Sequence, residues 1–138
     1  MAAFRQAARG RGWTERTEML RAVAGLLGYQ RLTARLKTTL RNHMRAAVRR
    51  GILEAERKWV RAGTTTMEDY PRETLRDAVR SVMRKGTTYE REEVIRAVAR
   101  RLGFTRLTPA ARKAMRSAIN SAIRQGVIGY RGNTIWRE

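Results

Sequence analysis

Apolar side chains recur along this chain at intervals of three and four, in blocks that each end at a glycine. In the stretch from Pro71 to Gly86 the recurring positions are Leu75, Ala78, Val79, Val82 and Met83. Pro71 sits where a first-turn proline is tolerated, so the spacing predicts a helix that Gly86 ends. Thr87 followed three residues later by Glu90 reads as a capping box, opening a second helix with Val94, Ile95, Val98, Ala99 and Leu102 on one face. Gly103 closes it. Thr108-Pro109 supplies an N-cap and a first-turn proline for a third helix reaching about Gln125, with Ala111, Met115, Ile119, Ala122 and Ile123 as its inward stripe. After Gly126 the period changes. Two short apolar runs, Val127–Tyr130 and Thr134–Trp136, flank Arg131-Gly132-Asn133. Gly and Asn tolerate positive φ, so this reads as a tight β-hairpin.

The first half of the chain carries the same pattern. Residues 15–53 reappear 75 positions later as residues 90–128, and 16 of those 39 positions are identical. Conservative exchanges fill many of the others: Met19 for Val94, Leu20 for Ile95, Tyr29 for Phe104 and Val48 for Ile123. A period of this length is too long for a solenoid and fits a small domain present twice. In the first copy the second helix is expected from about Thr14 to Leu27 and the third from about Thr33 to Arg50. A hairpin of Ile52–Ala55 and Lys58–Arg61 follows, turning near Glu56-Arg57. The first helix is only Ala2–Arg9, before a Gly10/Gly12 break; it is either short or begun inside. The expected organisation is a first domain over 1–61, a Gly/Thr-rich linker over 62–68 and a second domain over 69–138. Domains this small lie near the lower limit for a sufficient core, so each should use nearly every apolar side chain it has.

Composition narrows the class of partner. The net charge is +19, 27 of the 31 basic residues are Arg, and only Asp69 and Asp77 accompany ten Glu. That excess implies an anionic partner: nucleic acid, an acidic membrane or an acidic protein. The absence of Cys excludes disulfides and thiolate metal sites and suits a reducing cytoplasm. AVAGLLGY, residues 22–29, is among the longest apolar runs and is too short to span a membrane. The opening MAAFRQAARGRG is Arg-rich and acid-free, as transit peptides are, but lacks their length and Ser content. It reads as a domain edge, or as the place where a longer parent protein was cut.

Three helices followed by a two-stranded wing is the layout of the winged helix-turn-helix domain, and both copies resemble it. The nearer resemblance is to winged-helix-like domains appended to large bacterial helicase and nuclease proteins. Their pattern is an acid-rich helix start, A-x-x-L-G-[FY]-x-R, a basic third helix and a hairpin ending in an aromatic. Here it is matched by Glu15–Arg31 with Arg35–Val60, and by Glu90–Arg106 with Arg112–Trp136. The short first helix of the first copy departs from it. The resemblance implies a mainly α fold with small β-hairpins, built as tandem winged helix-turn-helix domains. It also implies that the third helix of each copy would lie in a DNA major groove.

The third helices carry a face suited to that role. Opposite Leu36, Leu40, Met44 and Ala47 lie Arg35, Thr38, Asn42, Arg45 and Arg49, with Arg41 on the flank. In the second copy the equivalent face is Lys113, Ser117, Asn120 and Arg124, flanked by Arg112, Arg116 and Ser121. Solvated helix faces normally mix charges, but no Asp or Glu occurs from Thr33 to Arg50 or from Thr108 to Gln125. Arg pairs bidentately with guanine and Asn with adenine, while Arg, Ser and Thr also bind phosphates. The wing tips, Arg57 and Lys58 in one copy and Arg131 and Asn133 in the other, would reach a backbone or minor groove. Replacing Arg45 and Arg49 should then weaken binding more than replacing Arg16 and Arg21 on the second helix.

Tyr29, Phe104, Trp59 and Trp136 are expected as core plugs, so no series of exposed rings offers a single-strand stacking platform. The acids Glu15, Glu18, Glu90, Glu92 and Glu93 gather at second-helix starts, where the helix dipole favours them. His43, the only histidine, lies at the edge of an apolar stripe and is expected to be partly buried. Without a nucleophilic Cys, a phosphate loop or metal-spaced acids, no enzymatic activity, metal or cofactor is expected. The sequence favours a cytoplasmic, nucleoid-associated binder of double-stranded DNA. The alternatives are a protein-interaction module of a larger nucleic-acid-processing assembly, with an acidic partner, and a duplex RNA binder.

Overall fold

The computed structural model describes residues 1–64 and 66–138, and the chain is mainly helical with two small antiparallel sheets. It divides into two compact units, Met1–Thr65 and Thr66–Glu138. The first contains α1 (Ala2–Ala8), β1 (Thr14–Glu15), α2 (Arg16–Leu26), α3 (Ala34–Arg49), β2 (Leu53–Glu56) and β3 (Trp59–Ala62). The second opens with a 3-10 turn, Met67–Asp69, and continues with α4 (Arg72–Val82), β4 (Thr88–Glu90), α5 (Arg91–Arg101), α6 (Pro109–Arg124), β5 (Ile128–Arg131) and β6 (Thr134–Arg137). Both sheets have three strands and the same order, β1-β3-β2 and β4-β6-β5.

Local chemistry explains the helix ends. Thr33 and Thr108 stand at the N-caps of α3 and α6, and each hydroxyl accepts from the amide three residues on, Leu36 at 3.2 Å and Ala111 at 3.1 Å. The expected opening of α5 is corrected. The box is formed by Glu90 and Glu93, with the Glu90 amide donating to the Glu93 carboxylate at 3.2 Å. Thr88–Glu90 is instead a strand, paired with Thr134–Trp136. The same correction applies in the first unit, where Thr14 and Glu15 pair with Val60 and Trp59 before α2 begins. In the first hairpin the two-residue turn falls at Arg57-Lys58, one residue later than expected.

Each unit encloses its own core. The first is built from Phe4, Met19, Leu20, Val23, Leu40, Met44, Ile52, Leu53 and Val60 with small alanines between them. The second gathers Leu75, Val79, Val94, Ile95, Val98, Leu102, Met115, Ile119, Ile128 and Ile135, and adds Met67 and Tyr70 from the segment before α4. With a spacing of 75, Phe4 matches Val79 and Ala8 matches Met83, so α1 corresponds to the end of α4. Residues Met67–Leu75 therefore have no counterpart among the described residues of the first unit.

Several expected core residues lie elsewhere. Tyr29 is 53% exposed, whereas its counterpart Phe104 is half-buried and meets the Tyr70 ring edge-on at 6.3 Å. Trp59 is exposed and Trp136 half-buried, and His43 faces solvent. Ser121 does not flank an outward face: it is buried, and its hydroxyl accepts from Arg76 Nη1 at 3.2 Å. Within the expected linker, Ala62 belongs to β3, and the amides of Gly63 and Thr64 donate to the carbonyls of Ile52 and Gly51, both at 2.9 Å. A Cβ at Gly63 would collide with the Gly51 carbonyl, so this crossing needs glycine. Met67 is buried; Thr65 lies outside the described residues.

Candidate nucleic-acid interface

Burial of Leu40, Met44 and Ala47 turns the other side of α3 outward. Arg35, Thr38, Arg41, Asn42, Arg45 and Arg49 are all exposed. Thr38 donates its hydroxyl to the Ala34 carbonyl at 3.1 Å, a bond within its own helix. The hairpin turn is fastened to the start of α2 by a single residue. The Arg16 amide donates to the Lys58 carbonyl and Arg16 Nε to the Arg57 carbonyl, both at 2.8 Å. The result is an open cleft of about 480 Å³ in which α2, α3 and the turn meet, with Arg16, Arg41, Arg45, Arg57 and Lys58 on its walls. Leu20 and Met44 also line it, and Glu15 is its one lining carboxylate. Like charges gathered this way repel one another, and a bound anion relieves the repulsion.

Arg57 adds a backbone signature. It holds φ at 55°, and among the described residues it is the only non-glycine with positive φ. The equivalent position in the second unit is Gly132, with φ at 61°. A side chain in this region strains the backbone, and such strain tends to persist where the side chain has a task.

The second unit repeats the frame with different chemistry. The Arg91 amide donates to the Asn133 carbonyl at 3.0 Å and Arg91 Nε to the Gly132 carbonyl at 3.2 Å, the same fastening as Arg16 makes. Arg91 Nη1 also donates to the Asn120 side-chain oxygen at 3.2 Å, where the first unit has Arg45. Lys113, Arg116, Asn120 and Arg124 are exposed on α6, Ser117 is half-buried, and Arg131 and Asn133 are exposed beside the turn. Arg112 is drawn away from the face into an ion pair with Glu92, which also meets Arg96 at 3.4 Å. The hydrogen bond from Arg112, more than any other influence, holds the Glu92 carboxyl below its ordinary range, against the opposing pull of its burial.

The structure thus brings Arg41 and Arg45 together with Arg57 and Lys58. Arg35, Thr38, Asn42 and Arg49 lie on the same helix but do not line that cleft. Sequence reasoning missed Arg16 and used it as a neutral contrast. Its signal was present in the repeat, since Arg16 and Arg91 are identical and each follows a glutamate at a helix start. Among the described residues no three His, Cys, Asp or Glu side chains gather into a metal-binding group, and no helix is long and apolar enough to cross a membrane. Comparison with family models, curated proteins and solved structures finds no match to this chain.

Proposed function

We propose that this chain is a tandem winged-helix protein that binds double-stranded DNA, with α3 and α6 as recognition helices and the β2–β3 and β5–β6 turns as wings. The element order in each unit, helix-strand-helix-helix-hairpin, supports the winged-helix reading. The observation that carries the functional reading is the five-cation cleft of the first unit, in which the helix face and wing tip converge on one place an anion can occupy. Phosphate is the anion that recurs along a duplex at regular spacing, and Arg is the side chain best shaped to hold it. Asn42 and the exposed arginines of α3 then lie on the helix that would face base edges. No step of chemistry is assigned: the role is that of a binder, in the cytoplasm and at the nucleoid.

The two units contribute unequally in this reading. Asn120, Gly132 and Asn133 occupy the positions of Arg45, Arg57 and Lys58, so of the five cations the second unit keeps only the counterparts Arg91 and Arg116, and Arg91 is engaged by Asn120. The first unit supplies most of the phosphate contact, and the second adds affinity by being linked to it. The test is duplex binding followed from about 50 to 300 mM salt, with duplex RNA as competitor. Contacts from five cations predict a log–log slope of about −4 to −5. A flat salt response, or duplex RNA competing as well as DNA, would sink this reading.

A further inference from the structure

The most apolar exposed surface of the first unit lies away from the basic cleft, at the end of α2. Leu26, Leu27 and Tyr29 are 47%, 53% and 53% exposed, and Leu36 on α3 is half-buried. Their counterparts by the repeat are Arg101, Leu102, Phe104 and Ala111. Leu102 is only 2% exposed, Ala111 is equally buried, and Phe104 packs on Tyr70. One motif is therefore covered in the second unit and uncovered in the first.

The second unit shows what does the covering. Met67, Tyr70 and Leu75 are buried in the same core cluster as Leu102 and Ala111, and the Met67–Asp69 turn packs against α6. This segment is the part of the second unit that the first lacks among its described residues. The exposed face has also become more apolar, since Gly25-Leu26 stands where the other copy has Arg100-Arg101. Solvent exposure alone would favour the reverse exchange in so basic a chain. From Met19 to Leu53 there is no carboxylate, whereas the covering segment carries Glu68 and Asp69 on its exposed side.

We infer that the Leu26–Leu27–Tyr29 face is a docking site for a short acidic peptide segment, with apolar or aromatic anchors spaced as Met67, Tyr70 and Leu75 are. The bound segment forms a turn over the end of α2 and the start of α3. Its anchors cover Leu27, Tyr29 and Leu36, and its carboxylates face the surrounding arginines. This surface is separate from the basic cleft and does not depend on what that cleft binds.

The experiment uses the full chain and a labelled peptide with the sequence of residues 66–76, TMEDYPRETLR, as the probe. Saturable binding is expected, with a Kd of about 0.1–1 mM for so short a segment that orders as it binds. A scrambled peptide of equal charge should bind at least tenfold more weakly. The double substitution Leu27→Asp and Tyr29→Asp should abolish binding. Both positions are exposed, so this variant keeps its fold, which its circular dichroism checks, and it keeps its duplex binding. Absence of detectable binding up to about 2 mM peptide on this affinity scale, equal binding of the scrambled peptide, or full binding by the double variant each overturns the inference. So does a wild-type dimer in sedimentation that the double variant dissolves, since the occupant would then be a second copy of this chain.

Discussion

The two units share one frame and have been finished differently. The first carries 15 basic residues against four acidic ones, the second 16 against eight. Acids fasten cations in both units, Glu18 with Arg21 and Glu54 with Arg61 in the first and Glu92 with Arg112 and Arg96 in the second, but the first unit leaves a cleft whose five cations share one lining carboxylate. Core closure runs the opposite way. The second unit buries Met67, Tyr70 and Leu75 over the end of α5, while the first leaves the same motif open to solvent. The more weakly closed unit is thus the more strongly charged one, which teaches that a repeated fold can be finished as a copy with an open basic cleft and a better-packed copy.

The largest test of that contrast is in the cores. Leu102→Ala should cost the second unit about 2–5 kcal/mol, whereas Leu27→Ala at the matching site should stay within about 0.5 kcal/mol. Urea unfolding with hydrogen exchange resolved by unit measures both, and equal costs would break the comparison. Next comes the cleft. Arg41→Ala with Arg45→Ala should weaken duplex binding by at least about 100-fold at low salt, against about tenfold or somewhat more for Arg116→Ala with Asn120→Ala, given about 1.5–3 kcal/mol per charge-assisted contact. Fluorescence anisotropy on one duplex decides it.

Arg57→Gly sharpens the contrast from both sides. Relief of the positive-φ strain should stabilise the first unit by about 1 kcal/mol, while the salt slope of DNA binding should shrink by about one. Greater stability without any loss of slope would show that Arg57 has no binding task. The smallest effect is expected at Glu92. Its folded pKa is depressed, so its contribution is present above the unfolded value, ordinarily near 4.5, and is lost as pH falls through the folded one. Glu92→Gln should lower the Tm of the second unit slightly at about pH 7 and leave it unchanged at about pH 2, where wild type has lost the same contribution.

The helices were legible because their punctuation is local. Thr33, Thr108 and the glycines at 28, 103 and 126 each act within a few residues of themselves, and the apolar spacing between them is regular; Gly86 does not end its helix as expected, since α4 stops at Val82 and Met83 is already extended. β1 and β4 were not legible, since two or three residues are too few to display alternation and their partners lie more than 40 positions away. Tyr29 and Phe104 sit in one sequence motif, yet their exposure is set by a segment that the spacing of that motif does not contain. The outward face of α3 could be read from its lack of acids. Arg16 could not, because its place in the cleft depends on the hydrogen bonds that bring the hairpin turn to it.

Those hydrogen bonds have a consequence for how the copies could diverge. Arg16 and Arg91 both hold their turns through main-chain carbonyls, at positions 57 and 58 in one unit and 132 and 133 in the other. A carbonyl is supplied by any amino acid, so the mount places little demand on the identity of the tip. One tip has become Arg-Lys and the other Gly-Asn, on the same bracket. The hairpin is in this sense an interchangeable tool head: its side-chain chemistry can be rewritten by substitution at two positions while the frame that presents it stays unaltered.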